Sequence, residues 1–283
     1  MPELPEVETV RRGLSPVLTG KRLARVEQRR ADLRFPFPDG FVQRLTGATI
    51  RSVDRRAKYL LMPLDRGDTL VCHLGMSGRF DIDHHRIGVF AEAVGDDPKH
   101  EHVVFVTEDG VRVAFFDPRR FGYMDLVPTD RLPAHPWFAA LGPEPLSDAF
   151  DGDVLLAAIK GKKQNIKVTL LDQKLVAGVG NIYACEALFL AGISPRRSAH
   201  TVQGDRAQRL VAAIKQVLLR SIDDGGSTLR DHVQPGGELG YFQTRFNVYD
   251  RVGAVCPTRE CGRMVRRLVQ SGRSTFYCSH CQR

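Results

Sequence analysis

The sequence predicts an α+β chain with a β-rich first half, a helical second half and a short cysteine-paired segment at the end. Three observations carry this. Between residues 22 and 117, short β-branched and aromatic runs alternate with polar breaks roughly every ten residues. Beyond residue 147, apolar residues recur at three- and four-residue spacing. Four of the six cysteines fall in the last 28 positions. At 283 residues and 42% apolar content the chain can fill one large core or two ordinary ones.

In chain order, MPELPEVETV comes first, with Val7, Val10 and Leu14 at helical spacing and Gly20 as a stop. Pro5 suits the first helical position, where a missing N–H costs nothing, and Glu6 and Glu8 meet the positive end of the helix dipole. Pro2 and Glu3 have no part in such a helix start. The runs RLARVEQ, ATIRSVDRRAKYLLMPL, TLVCHLGM and HVVFVTEDGVRVAFFD follow as strands, with a hairpin turn at Glu108-Asp109-Gly110. Such spacing fits a sandwich or barrel. Residues 84–97 read as a surface loop, and His100 and His102 as one side of a strand.

The stretch RLPAHPWFAALGPEPLS at 131–147 holds four prolines and marks a domain junction. DVLLAAIKG, NIKVTLLDQ, NIYACEALFLAG and DRAQRLVAAIKQVLLRSI then read as helices. Gly178 and Gly180 precede the third of these, with Asn181 near its N-cap, and the helix before them runs from Ile166 to Gln173. Two helices joined by a Gly-rich double turn can aim free amides at a phosphate, although a plain inter-helix turn fits equally well. A Gly-rich polar loop occupies 225–240. The expected organisation is therefore a first domain over 1–133, a linker over 134–147, a helical domain over 148–245 and a terminal segment over 246–283.

Formal net charge is +8, and its distribution is informative. From Arg245 to Arg283 there are eight arginines against Asp250 and Glu260, a surplus of six positive charges in 39 residues. No basic amphipathic helix lies there, so a nucleic acid suits this segment better than a membrane surface. Cys72 and Cys185 stand singly in apolar contexts, as small buried residues do. Cys256 and Cys261, then Cys278 and Cys281, form two short-spaced pairs separated by sixteen residues. That pattern matches a four-cysteine zinc ribbon, in which four thiolates close the tetrahedron and the metal stabilises a segment too small for its own core. Arg263, Arg266, Arg267 and Arg273 stud the insert and suit phosphate oxygens. There is no basic leader followed by an apolar run, and no stretch approaches the ~20 apolar residues of a membrane span, so a cytoplasmic location is expected.

With these parts assembled, the chain resembles the formamidopyrimidine-DNA glycosylase family along nearly its whole length. The segments that carry the resemblance are MPELPEVET, RRAKYLL at 55–61, HLGMSG at 73–78, KHEHV at 99–103, DPRRFG at 117–122, LGPEPLS at 141–147, the VGNIY turn, GGSTLRD at 225–231 and GRSTFYC at 272–278. Two departures stand out. The first cysteine pair has four intervening residues where the family more often has two, and the loop after Asp81 is longer. The sister branch directed at oxidised pyrimidines typically has glycine where Leu4 stands and lacks DPRRFG, so the purine branch is favoured.

The resemblance implies an N-terminal β-sandwich flanked by helices, a helix-two-turn-helix domain and a zinc ribbon binding one structural zinc. It implies a bifunctional glycosylase and AP lyase that removes 8-oxoguanine and formamidopyrimidines and then cuts the strand. Its nucleophile is the secondary amine of Pro2, exposed once Met1 is removed. An α-amino group has an ordinary pKa of roughly 7.7–8.0, so a useful neutral fraction exists near pH 7. An iminium formed at C1′ acidifies the adjacent C2′ proton, and elimination follows. Glu3 is implied as general acid/base, Lys58 as a phosphate contact aiding proton transfer, and Arg273 as a phosphate ligand that assists the second elimination. Glu6 either caps the helix or supports the site.

Flipping the damaged nucleotide leaves a gap, which the resemblance assigns to Met76, Arg119 and Phe121. His73, His100, Lys162 and Asn181 are implied to hold the DNA backbone, and the 225–240 loop to close over the extruded base. The implied partner is double-stranded DNA with oxidised bases or abasic sites, met by a monomer that associates with the bacterial nucleoid. Two alternatives stand beside this. A non-catalytic zinc-ribbon protein recognising damaged DNA would keep Met76, Arg119 and Arg273 without needing Pro2 and Glu3 together. A pyrimidine-directed enzyme of the sister branch is the other.

Overall fold

The structure is a computed structural model that describes residues 2–87, 97–225 and 246–283. They form two compact units, one over residues 2–139 and one over residues 140–223 with 246–283.

The first unit starts with α1 (Leu4–Leu18), in which Pro5 is the second helical residue and Glu3 the N-cap. Nine strands follow: β1 (Leu23–Gln28), β2 (Asp54–Arg56), β3 (Tyr59–Pro63), β4 (Asp68–His73), β5 (Arg79–Ile82), β6 (His85–Ile87), β7 (Glu101–Thr107), β8 (Arg112–Phe116) and β9 (Tyr123–Pro128). They make two antiparallel sheets, ordered β1-β7-β8-β5-β6 and β2-β3-β4-β9. Val7, Val10 and Leu14 of α1 share one core with Leu60, Leu70, Phe105 and Phe115 from both sheets. The apolar stripe of α1 therefore closes a two-sheet sandwich, as the alternating runs require.

Two expectations need correction here. Residues 84–97 are not all loop, because His85–Ile87 pairs with β5 as a sheet edge. Nor do His100 and His102 share a strand face. Asp97 and Pro98 open a short 3-10 turn over Pro98–His100, the Asp97 side chain taking the Lys99 N–H. His102 lies beyond that turn, buried on β7.

The first unit also holds α2 (Phe41–Leu45), and the second has helices α3 (Gly152–Ile159), α4 (Ile166–Leu170), α5 (Asn181–Leu190) and α6 (Asp205–Asp223). A hairpin of β10 (Arg266–Gln270) and β11 (Arg273–Tyr277) completes it. The helix before the double turn ends at Leu170 rather than Gln173. Gln173 instead staples the turn, its Nε2 donating to the Val179 carbonyl at 2.9 Å and its Oε1 accepting from the Gly178 N–H at 2.9 Å. Gly178 sits at φ 86°, which only glycine adopts freely.

The apolar helix α5 carries one buried acid, Glu186. Its carboxylate accepts four N–H groups at 2.8–2.9 Å, three from the backbone of Asn247, Val248 and Tyr249 and one from the Asn247 side chain. Burial of a charged acid is offset by those donors.

Candidate functional site

In the first unit the N-terminal segment is fixed by its own carboxylates. Glu6 Oε2 accepts the Glu3 N–H at 2.7 Å, and the Glu3 side chain takes the Glu6 backbone N–H, a capping box that satisfies two otherwise orphaned helix donors. Pro2, Glu3 and Glu6 are all buried. Glu6 thus acts as a cap, and through it the backbone of Glu3 has one orientation.

Lys58 is not a strand residue. It occupies the second position of the two-residue turn between β2 and β3, after Ala57 at φ 53°. It is buried, at 6% exposure. The hairpin is tied to α1 by Glu8, whose carboxylate receives Arg11 and Arg12 from its own helix and Arg55 Nε at 3.2 Å from β2. Arg55 also donates to the Ala57 carbonyl at 3.0 Å, and Arg11 to that of Val53 at 3.3 Å. Burial works against the charge on Glu8, but Arg11 and Arg55 hold its carboxyl below the ordinary range.

His73 ends β4, cross-strand from Tyr59 and from Tyr123, with its ring stacked on Tyr123 at 4.8 Å. Its Nδ1 accepts the Gly75 N–H at 2.9 Å. Burial, then the charges of Lys58 and Arg34, push its pKa down to about 3, so the ring is neutral at pH 7. A neutral imidazole with Nδ1 occupied as acceptor carries its proton on Nε2, ready to donate.

Met76, Arg119 and Phe121 sit on two loops bolted together by Asp117, which is wholly buried. Ser77 Oγ donates to one carboxylate oxygen at 2.6 Å, and the Gly122 N–H to the other at 2.6 Å. The Arg119 N–H donates to Ser77 Oγ at 3.2 Å, and His102 Nε2 lies 2.9 Å from the Asp117 carbonyl. The loops touch so closely at Gly75, φ 63°, that a Cβ there would stand 2.3 Å from the Phe121 and Gly122 backbone. Phe121 is nevertheless 42% exposed, with Arg119 over its ring at 5.0 Å. An exposed aromatic on a rigid loop is a poor core residue and a suitable wedge. His100 is part-buried beside them, its carbonyl accepting the Asp117 N–H at 2.9 Å.

The second unit presents its own set. Asn181 is the first helical residue of α5, with Gly180 as the N-cap. Its Nδ2 donates to the Ser274 carbonyl at 2.9 Å, next to the exposed Arg273, so the helix start and the β10–β11 hairpin are one assembly. Lys162 is exposed and lies 4.0 Å from Asp172.

Cys256, Cys261, Cys278 and Cys281 bring their sulfurs within 4.8 Å of one another. Three of the separations are 3.4, 3.7 and 3.8 Å. A zinc tetrahedron with ~2.3 Å bonds has sulfur–sulfur edges of about 3.8 Å, so the four thiols fit one structural zinc despite the wider first pair. Burial opposes the Cys278 thiolate, yet the N–H groups of Cys281 and His280 bring it down to about 7. This is the one cluster of potential metal ligands among the described residues, and the His100–His102 pair is not part of any.

The residues brought together in the first unit are thus Pro2 and Glu3 at one helix start, Lys58 and His73 as electrostatic neighbours, and Met76, Arg119 and Phe121 on the joined loops. Sequence reasoning gave Glu8 only to the helix dipole, and gave Arg55, Ser77 and Asp117 no individual role. The DP at 117–118 signals a turn, and an acid there can collect loop amides, but nothing local marks Ser77 as its partner. The 225–240 loop lies outside the described residues but for its first.

Comparison with known proteins covers the whole chain. Residues 1–124 match the formamidopyrimidine-DNA glycosylase N-terminal domain, residues 141–233 the H2TH domain of the same enzymes, and residues 253–283 the zinc finger found in FPG and IleRS. The formamidopyrimidine-DNA glycosylases of Caulobacter sp. (strain K31) and Phenylobacterium zucineum are each 62% identical to this chain, with all of both chains covered. Among solved structures, the MutM (Fpg) protein of Thermus thermophilus superposes with a TM-score of 0.84 at 42% identity, covering 99% of this chain and 98% of that one. Lactococcus lactis Fpg in complex with DNA containing N7-benzyl-Fapy-dG gives 0.86 at 31% identity, covering 99% of each.

Proposed function

The chain belongs to the formamidopyrimidine-DNA glycosylase family, and from that premise we propose how its own residues excise an oxidised purine and cut the strand. The protein is a base-excision-repair DNA glycosylase and AP lyase. The observation that carries the residue assignment is the Glu3–Glu6 capping box directly after Pro2, together with the Glu8 bracket, which fastens the Lys58 turn to the same helix.

With Met1 removed, the Pro2 amine attacks C1′ of the flipped nucleotide and the base departs with a proton. The C1′–O4′ bond then breaks, O4′ taking a proton as the ring opens, and the nitrogen becomes an iminium that withdraws electrons from C2′. Loss of the C2′ proton expels the 3′ phosphate, and a second elimination expels the 5′ phosphate. Glu3, buried beside that nitrogen in sequence, moves protons at the opening sugar ring. Lys58 holds the lesion phosphate, and neutral His73 donates to the backbone without adding charge. Met76 and Phe121 fill the stack, while Arg119 hydrogen-bonds the orphaned base. Lys162, Asn181 and Arg273 grip phosphates in the second unit, with Arg273 assisting the second elimination, and His100 does so in the first. The zinc stabilises the fold of the hairpin that presents Arg273 and takes no part in the chemistry.

8-Oxoguanine opposite cytosine and formamidopyrimidines are the substrates, met by a monomer. Chromosomal DNA as substrate puts the working enzyme in the bacterial cytoplasm, at the nucleoid. No described helix is long and apolar enough to cross a membrane.

Borohydride trapping on an 8-oxoguanine:cytosine duplex, followed by peptide mapping, tests this. A single adduct on Pro2 is expected, with none when Met1 is retained. Tight binding without an adduct would favour a damage-recognition protein, and an adduct on another residue would remove Pro2 from the mechanism.

A further inference from the structure

An open cleft of about 490 Å³ in the second unit is lined by Ser194, Arg196, Arg197, Ser198 and Thr201. No acidic side chain stands among the five. Arg196 is exposed, and its guanidinium has no partner among the described residues. Arg197 directs Nε to the Arg283 backbone oxygen at 3.3 Å, and its two terminal nitrogens have no partner among the described residues. Thr201 Oγ1 donates to the Ser198 carbonyl at 2.7 Å and keeps its lone pairs, and the Ser198 hydroxyl has no partner among the described residues. Two guanidinium groups beside the Ser194 and Ser198 hydroxyls, which have protons to donate, make a site for a phosphate oxyanion.

The cleft is joined on both sides to the residues assigned to the DNA backbone in this unit. On one side, the His200 N–H and Nδ1 both lie 3.0 Å from the Lys162 carbonyl, and the Ile166 N–H donates to the Arg197 carbonyl at 2.7 Å. On the other, Gln270 Nε2, in the strand paired with Arg273, donates to the Pro195 carbonyl at 3.0 Å. The 194–201 loop is therefore a rigid extension of the surface that carries Lys162 and Arg273.

We infer that this cleft takes a further backbone phosphate of the bound duplex, outside the stretch held by Lys162, Asn181 and Arg273. The inference rests on the DNA-repair reading above. The shared chemistry is a phosphate oxyanion, whose two possible sources are DNA and a free phosphate compound.

The experiment uses the full-length zinc-loaded protein and the Arg196→Ala/Arg197→Gln double variant, with zinc content and thermal melting as controls for folding. Should the double variant melt early, Arg196→Glu alone replaces it, since the Arg196 side chain has no partner among the described residues. Binding to an 8-oxoguanine duplex is measured from 50 to 200 mM salt. Loss of one or two phosphate contacts lowers the slope of log Kd against log salt by about 1 to 2. Trimming the duplex one nucleotide at a time from either end weakens the wild type at one end and leaves the variant unchanged at that step. Borohydride trapping at saturating DNA is equal in both proteins. Equal slopes with normal trapping would overturn the inference and leave the repair reading intact. Absence of trapping in the wild type would instead strike that reading. Inorganic phosphate or ATP binding that the variant loses, with DNA slopes equal, would overturn the DNA source.

Discussion

Glu3, Glu6, Lys58 and Asp117 in the first unit are nearly sealed from water, whereas Lys162, Arg196 and Arg273 in the second stand in it. The buried groups include two bonded in a capping box, one on a turn bracketed by a shared carboxylate and one that bolts two loops. The exposed ones have few partners or none. Bond-making chemistry needs geometry fixed to fractions of an ångström in a poorly screening environment. Holding a polyanion needs mobile charges that release counterions and tolerate every sequence. Substitutions in the first unit should therefore change rates at constant salt, and those in the second should change affinity in a salt-dependent way.

The strongest way to break that contrast is to remove the metal. In Cys278→Ser the zinc cluster loses a ligand, and the β10–β11 hairpin loses the folding energy that holds Ser274, beside Arg273, against Asn181. Metal analysis should show no bound zinc, and a gel-shift titration should show lesion-duplex binding lost, while circular dichroism retains the strand signal of the first unit. Undiminished binding without zinc would mean that the hairpin is not the grip.

A smaller effect tests the rigid side. Asp117→Asn keeps the shape but exchanges one carboxylate oxygen for an amide, so either Ser77 or the Gly122 N–H loses its acceptor. A hydrogen bond to a charged group is worth about 1.5–3 kcal/mol. Single-turnover excision should fall about 10- to 100-fold, with the salt slope of binding unchanged. A changed slope and an unchanged rate would invert the division between the units.

The smallest effect sharpens it through pH. The unfolded chain protonates His73 near 6.5, and the folded one only near 3. Between these values the unfolded state binds the extra proton, so the contribution of His73 is complete above pH 6.5 and is lost as pH falls toward 3. His73→Gln should make urea-unfolding stability decline less steeply between pH 6.5 and 4. An unaltered decline would mean that the ring is protonated in the folded protein.

What was legible in the sequence follows from the range of the interactions involved. The cysteine pairs, the alternating runs and the helical stripes are local patterns, and each reads directly. Lys58 was misplaced because RSVDRRAKYLLM has no glycine, proline or asparagine to announce a turn. Ala57 takes a positive φ there without any composition signal, and its side chain is buried. His100 was assigned to a strand although Asp97-Pro98 carries the turn signal, since the apolar run beyond it dominates. Asn181 was placed near the N-cap because the glycine before it leaves no side chain to recognise. Glu8 and Asp117 act on residues 47 and 40 positions away, and no window along the chain brings those together.

Glu186 has a consequence for how the protein is made. Its four donors come from residues 247–249, some sixty positions downstream, and they leave the ribosome long after α5 does. Until then α5 holds an acid in an apolar setting with those amides missing. The second unit therefore matures only after residues 247–249 have followed α5 out, just before the stretch that carries the four cysteines. A chain that stops short of residue 247 has neither the donors that complete its helical core nor the cysteines of its zinc hairpin.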